Sequence, residues 1–249
     1  MNEKLQKVLA RFGYGSRRNI EKIIKQRRIN VNGQIANLGD RIEINNFTKI
    51  SIDNKIITTS LTKKIVCRVI CYYKSEGEIC TSYDPYGRKN IFNKLPNINN
   101  ARWINIGRLD LNTSGLLLFT NDGELANRLM HPSFQIEREY TVCILGNLNK
   151  EKKRHLISGV QLKDGKAAFK KVIFQKSYGL NKWYNVIITE GRNHEVRRIW
   201  AALGIKINKL IRVRYGNITL PKNLSIGNWI ELSFKQINYL RKKVKLSIV

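Results

Sequence analysis

The apolar run GLLLF at 115–119 lies inside the stretch GRLDLNTSGLLLFTNDGELANRLMHPS at 107–133, which constrains the fold more than any other part of the chain. The run is far too short to span a bilayer and predicts a buried strand at Leu116–Phe119. A turn, Asn121-Asp122-Gly123, follows, and Leu125 and Leu129 then recur at helical spacing. Asp110 is left in the loop before the strand. Such an aspartate is more often a turn or cap residue than a functional one, and spacing alone leaves both interpretations open.

Charge is the second constraint. The 249 residues, enough for one or two domains, carry 46 Lys and Arg against 18 Asp and Glu, a net charge of +28 with a pI near 10.2. Such an excess predicts a polyanionic partner, although codon drift in an AT-rich genome can also raise the lysine content. The N-terminus has no apolar signal core, so we expect a cytoplasmic protein with no membrane contact. Four cysteines and three histidines show no zinc-site spacing, which favours reduced thiols and no metal.

Residues 1–58 are predicted to form a separate small module. Leu5, Val8, Leu9 and Phe12 form one apolar helical stripe, and Ser16 can cap a second helix. Asn32-Gly33 predicts a two-residue hairpin, and alternation at 42–44 and 50–52 predicts strands. The polar, basic segment 59–65 is interpreted as a linker, 66–233 as a strand-rich domain, and 234–249 as a basic tail that can be helical.

The positive charge of the small module is concentrated in its helices. Residues 1–28 hold nine Lys and Arg against two acids. An ordinary solvated helix face is one explanation, and contact with RNA phosphates is the other. The residues predicted to contact RNA in this module are Arg17, Arg18, Lys22, Lys25, Arg27 and Arg28.

Two further motifs follow in the larger domain. In EGRNHEVRRIWAALG (190–204), Val196, Ile199, Trp200 and Leu203 form a helical stripe, with Arg197 outside it. Its HEV segment lacks the second histidine of a zinc protease, which excludes that class. In REYTV (138–142), Tyr140 lies in a strand-like alternation, where a core aromatic is the simplest interpretation.

The segment KLQKVLARFGYGSRRNIEKIIKQRRINVNG resembles the S4 RNA-binding module, and the three motifs in this order resemble the pseudouridine synthases with an N-terminal S4 module. YYKSEGEICT, GVQLKDGKAAFK and LIRVRYG extend the similarity over nearly the whole chain. The resemblance implies an α+β fold. An S4 module of two helices and a small sheet precedes a catalytic domain with a mixed, largely antiparallel sheet flanked by helices.

The resemblance also implies roles at matching positions. Asp110 matches the catalytic nucleophile, Arg197 the arginine that forms an ion pair with it, and Tyr140 the aromatic that stacks on the target uracil and handles a proton. Arg108 matches the arginine that helps hold the displaced position in the RNA. Leu210 or Ile211 is expected to line the other wall of the pocket.

The implied reaction is site-specific isomerisation of uridine to pseudouridine in 23S rRNA, by a monomer without a cofactor. One alternative is the same reaction on 16S rRNA or another RNA. A second alternative is a non-catalytic S4-type RNA-binding or ribosome-assembly factor, which would share the charge but would not need Asp110.

Overall fold

The computed structural model describes residues 2–45, 47–57, 65–81 and 87–249. The chain divides into two compact units. One comprises Met1–Arg68, Pro96–Ile104 and Thr120–Gly123, and the other comprises Val69–Leu95, Asn105–Phe119 and Glu124–Val249. The predicted linker at 59–65 lies outside the described residues except for its last residue, so the predicted domain boundaries stay predictions.

The two predicted helices of the first unit are confirmed. They are α1 (Leu5–Arg11) and α2 (Arg17–Lys25), and the Ser16 side chain accepts a hydrogen bond from the Asn19 backbone N–H, as expected of an N-cap. The apolar stripes of both helices pack into one core, in which Leu5, Leu9 and Ile20 are fully buried.

The strands of this unit are short. The predicted hairpin joins β2 (Ile29–Val31) to β3 (Gln34–Ile35), with φ of +52° at Asn32 and +85° at Gly33, the left-handed pair that a type I′ turn requires. The predicted strand at 50–52 is also confirmed. The strand predicted at 42–44 is instead Arg41–Ile42, because it pairs with the two-residue strand β1 (Glu3–Lys4). The remaining strands are β1 (Glu3–Lys4), β4 (Arg41–Ile42), β5 (Ile50–Ile52) and β6 (Lys55–Ile56).

Nine strands form the large sheet of the chain: β7 (Val69–Lys74), β8 (Ile104–Ile106), β9 (Ser114–Thr120), β10 (Arg138–Leu145), β13 (Lys171–Tyr178), β14 (Asn181–Ile188), β15 (Ile207–Tyr215), β16 (Ile218–Thr219) and β17 (Trp229–Glu231). Their order is β13-β14-β10-β15-β9-β7-β17, with β16 beside β15 and β8 beside β9. β15 runs parallel to β9, whereas β10 with β14, β10 with β15, β13 with β14, β15 with β16 and β7 with β17 are antiparallel, so the expected mixed, largely antiparallel sheet is confirmed. A separate hairpin consists of β11 (Val160–Leu162) and β12 (Gly165–Ala167).

The later helices are α3 (Gly123–Met130), α4 (Lys150–Ser158), α5 (Glu195–Ala201) and α6 (Phe234–Lys243). Val196, Ile199 and Trp200 of α5 pack into the core against β10, β14 and β15, which confirms the predicted stripe. The tail helix α6 begins with a complete capping box between Ser233 and Gln236. None of the helices among the described residues is long and apolar enough to cross a membrane.

The strand predicted at Leu116–Phe119 is the centre of β9, whose seven residues are all buried. At the start of β9, Gly115 has φ +108° and lies against the Arg212 backbone of β15, where an added Cβ would collide with the Arg212 carbonyl. Arg212 in turn pairs with Tyr140 on β10. The register therefore fixes the loop before β9 relative to the strand that carries Tyr140.

Candidate active site

Asp110 lies in the loop between β8 and β9, and its side chain is 34% exposed. The loop closes on itself, because the Thr113 backbone N–H donates to the Asp110 carbonyl at 3.1 Å. Arg108, two residues earlier, is exposed, as a residue that contacts RNA must be. The loop thus presents a carboxylate to solvent on a fixed backbone.

Other elements hold the backbone of this loop at every residue from Leu109 to Thr113. The Lys74 ammonium donates to the carbonyls of Asp110 at 3.1 Å and Thr113 at 2.9 Å. Three other groups donate hydrogen bonds to the remaining carbonyls. The Cys80 thiol donates to the Leu109 carbonyl, and the Gly77 N–H donates to the Leu111 carbonyl at 2.9 Å. The Arg197 guanidinium donates through Nη2 to the Asn112 carbonyl at 2.7 Å. Five consecutive carbonyls are therefore satisfied, which leaves little freedom in the position of the carboxylate.

Lys74 is completely buried, which is unusual for a lysine. Burial lowers its pKa, and the nearby acidic groups, among them Glu78 and Asp110, partly oppose that shift. Its ammonium is surrounded by backbone carbonyls, whose dipoles replace the lost water. The sequence analysis did not identify this residue. The signal available was a lysine at the end of an otherwise apolar strand.

A second buried charge lies beside the first. Glu78 is 1% exposed and accepts hydrogen bonds from the Tyr72 hydroxyl, the Ser75 backbone N–H and the Lys94 ammonium, the last at 2.6 Å. Burial alone would raise the pKa of Glu78, but the bonds from Lys94, Ser75 and Tyr72 outweigh burial and lower it. These bonds fix the position of Glu78 and hence of Cys80, whose thiol contacts the loop that carries Asp110.

The turn before α5 brings His194 to the carboxylate. Buried Glu195 accepts from the backbone N–H and Nε of Arg192, both at 2.9 Å, and this closes a turn in which His194 adopts φ +49°. Burial raises the pKa of Glu195, against the opposing effect of Arg192. His194 Nδ1 lies 3.7 Å from Asp110 Oδ2. Sequence analysis missed His194, although it stands three residues before Arg197 in a motif already singled out.

Arg197 reaches the same loop by a different contact from the expected one. Its guanidinium donates to the Asn112 carbonyl and, at 3.5 Å, to the Ile207 carbonyl. Within the described residues, no ion pair of 4.0 Å or less joins Arg197 to Asp110, so their direct pairing stays a prediction. The neighbouring Arg198 forms a bidentate salt bridge with Asp164 instead.

An open depression of about 490 Å³ lies beside these residues. It is lined by Asn193, His194, Arg197, Arg198 and Ala201.

Tyr140 is half-buried on β10 and packs against the core cluster that includes Leu210. Because consecutive strand residues face opposite sides, Ile211 points away from the side that Leu210 occupies. Leu210 is therefore the one of the two wall candidates that shares Tyr140's side of the sheet. Among the described residues, no hydrogen bond joins Tyr140 to Asp110, and the stacking role of Tyr140 stays a prediction.

Arg212 is a further buried cation that the sequence analysis did not identify. It is 2% exposed, its Nε donates to the Leu116 carbonyl at 2.7 Å, and its guanidinium lies 5.4 Å from the centre of the Tyr215 ring. Its Nη2 has no hydrogen-bond partner among the described residues. Arg212 thus connects β15 to β9 immediately after the loop that carries Asp110.

The six cations predicted to contact RNA in the first unit are all exposed. Five of them, Arg17 to Arg27, have no ion pair within the described residues. Arg28 differs, because its guanidinium forms a two-pronged pair with Asp53 at 2.6 and 2.7 Å. Hydrogen bonding to Asp53 raises the pKa of Arg28 and leaves this side chain less available than its neighbours.

Comparison with known proteins gives two family matches. The model described as RNA pseudouridylate synthase matches residues 68–202, and the S4 domain model matches residues 3–46. The first match covers more than half of the chain and includes Asp110, Tyr140 and Arg197.

Curated relatives match along the whole chain. A protein named ribosomal large subunit pseudouridine synthase B from Yersinia pestis is 55% identical over 248 residues, covering 100% of this chain and 78% of its own length. A protein of the same name from Escherichia coli K12 is 57% identical, covering 99% and 84%. Among solved structures, one described as a pseudouridylate synthase has a TM-score of 0.65 at 26% identity and covers 96% of this chain and 99% of its own.

Proposed function

Because this chain belongs to the RNA pseudouridylate synthase family, we propose that it converts a specific uridine of 23S rRNA, the large-subunit RNA, to pseudouridine. The observation that carries the proposal is the half-exposed Asp110 carboxylate on a loop whose carbonyls are all held by other elements. We also propose that the enzyme acts as a monomer in the cytoplasm.

The reaction exchanges one bond for another. The C1′–N1 glycosidic bond of the uridine breaks, the uracil turns, a C1′–C5 bond forms, the C5 proton leaves and N1 gains a proton. Substrate and product have the same atoms and oxidation state, so a carboxylate nucleophile is sufficient to carry the detached base or sugar covalently. We assign that nucleophile to Asp110.

The neighbouring side chains support the carboxylate. The guanidinium of Arg197 donates to the Asn112 carbonyl and so lies next to the loop that carries Asp110. In the RNA complex we expect it to move onto the Asp110 carboxylate. His194, whose Nδ1 lies 3.7 Å from Asp110 Oδ2, helps to orient the carboxylate. Tyr140 presents a flat face for the uracil, and its hydroxyl is assigned to handling of the C5 proton.

The substrate base must leave its stack before it can reach Asp110. The exposed guanidinium of Arg108, two residues from the nucleophile, can occupy the vacated position by stacking. The exposed cations of α2 supply phosphate contacts, which orient the RNA without reading its sequence. The two functions, docking and catalysis, are therefore assigned to different parts of the chain.

The test is release of tritium from C5-labelled 23S transcript by the wild type, Asp110→Asn and Asp122→Asn. We expect release by the wild type and by Asp122→Asn, whose carboxylate lies in the turn after β9, and none by Asp110→Asn. Release by Asp110→Asn at the wild-type rate would refute the assigned nucleophile. Tritium release from a 16S transcript alone would show that the substrate is small-subunit RNA. Release from neither the 23S nor the 16S transcript would favour a non-catalytic assembly factor.

A further inference from the structure

The hairpin of β13 and β14 carries aromatic and basic side chains that the proposed catalysis does not use. Between Lys171 and Ile188 the chain has three lysines and no acidic residue. Tyr178 is 65% exposed, so most of its surface is open to solvent. The hairpin lies at the edge of the nine-stranded sheet, since β13 is its terminal strand.

Strand register aligns several of these side chains. Lys176 pairs with Trp183, Trp183 with Cys143, and Cys143 with Lys209, which makes one row across β13, β14, β10 and β15. Directly paired residues point to the same side of a sheet. Tyr178 lies two residues beyond Lys176 and shares that side. We call Lys176, Tyr178, Trp183 and Lys209 the outer platform.

The outer platform faces away from the protein core. Tyr184, the residue after Trp183, is buried in the core cluster with Trp200, so Trp183 points to the opposite side. Tyr140 packs on the core side as well. The platform is therefore separate from the candidate active site, and it spans about 14 Å between its outer strands.

The aromatic rings are held in place by a cation. The Lys176 ammonium lies 5.0 Å from the centre of the Tyr178 ring and 5.9 Å from that of Trp183. Glu139 is the acid of β10, and its carboxylate is occupied by Arg214 and Asn185. A fixed aromatic surface flanked by lysines without competing carboxylates is the combination that binds single-stranded nucleic acid.

We propose that the outer platform binds unpaired nucleotides of the RNA substrate, outside the segment that enters the active site. A base stacks on the Tyr178 ring, and Lys176 and Lys209 contact phosphates. Stacking on aromatic rings tolerates any base, so this contact contributes affinity rather than choice of the uridine. The inference rests on the proposed RNA substrate and adds a second binding surface to it.

The test compares Tyr178→Ala, Tyr178→Phe and Lys176→Ala with the wild type in the full chain. The matched control is Tyr239→Ala with Lys243→Ala, because Lys243 Nζ lies 5.6 Å from the Tyr239 ring in the same kind of pair on α6. The probes are a fluorescent single-stranded oligouridylate and two 23S transcripts, one a minimal stem-loop and one with unpaired flanks. Thermal unfolding checks that each variant is folded.

We expect Tyr178→Ala to weaken oligouridylate binding about fivefold or more, and Tyr178→Phe to retain it. On the flanked transcript KM should rise with kcat unchanged, whereas the minimal stem-loop should show no change. Wild-type affinity in Tyr178→Ala, or an equal loss in the α6 control, would overturn the platform. The two proposals can fail separately. If the wild type binds the oligouridylate, Tyr178→Ala weakens that binding and no transcript is modified, the proposed function is refuted and the outer platform is supported.

Discussion

The ammonium of Lys74 lies 3.1 Å from the backbone carbonyl of Asp110, although the two residues are 36 positions apart. The lysine is fully buried and donates to Thr113 as well, so it spans both ends of the loop that carries the carboxylate. A buried cation that contacts only carbonyls positions the backbone of the loop and leaves the Asp110 side chain free for substrate.

Replacement of this cation should release the loop. Lys74→Met removes the ammonium that donates to the carbonyls of Ser75 at 2.8 Å, Asp110 at 3.1 Å and Thr113 at 2.9 Å, and each buried group left unsatisfied costs about 1–3 kcal/mol. We expect the free energy of unfolding to fall by ~2–5 kcal/mol and kcat to fall tenfold or more, measured by urea unfolding and tritium release. Lys153→Met, at an exposed position of α4, is the control. Unchanged kcat in a folded Lys74→Met would contradict the positioning role.

Arg197 is expected to act on turnover more than on RNA binding. Arg197→Met removes a charge-assisted hydrogen bond to the loop that carries Asp110, worth about 1.5–3 kcal/mol, so kcat should fall ~10- to 150-fold. Filter binding should show RNA affinity close to that of the wild type. Arg198→Met, which removes the pair with Asp164 instead, should keep its turnover. Equal losses in both variants would point to helix packing as the cause.

His194 should have a smaller effect. Its contact with Asp110 is 3.7 Å long and its side chain is 56% exposed. Exposed contacts of this kind contribute about 0.2–1 kcal/mol at most, so His194→Gln should lower kcat by no more than ~5-fold. Single-turnover rates of the variant and the wild type check this. A loss as large as that in Arg197→Met would make His194 essential and contradict the orienting role.

Local chemistry was sufficient to predict several elements. Ser16 before α2, the Asn32-Gly33 turn and the stripe of α5 each depend on neighbours within a few positions, and each is confirmed. The order of helices and strands, and hence the fold class, follows from such local signals together with the family resemblance.

The support of the candidate site could not be predicted in the same way. Lys74 meets Asp110 only because β7 and β9 are neighbours in the sheet, and no periodicity in the sequence specifies that pairing. The contact of Arg197 with the Asn112 carbonyl likewise depends on where α5 packs. The residue types were visible in the motifs, but their partners required the tertiary structure.

Glu78 should make the stability of the protein sensitive to acid. Its pKa is lowered in the folded chain, so its contribution is present above about pH 4.3, the ordinary glutamate pKa, and is lost as pH falls through the lowered value. Urea unfolding of the wild type and Glu78→Gln should therefore differ most near neutral pH and converge in acid. A difference that is constant from neutral pH to pH ~3 would contradict the assigned ionisation.

The basic face of α2 should show unequal contributions to RNA binding. Arg18→Gln removes an exposed cation, and each lost phosphate contact lowers the slope of log affinity against log salt by about 0.7–0.9. Arg28→Gln should leave that slope nearly unchanged, because Asp53 already occupies the Arg28 guanidinium. Filter binding of a 23S transcript over a salt series measures both slopes. Equal changes in the two variants would show that Arg28 leaves Asp53 for the RNA.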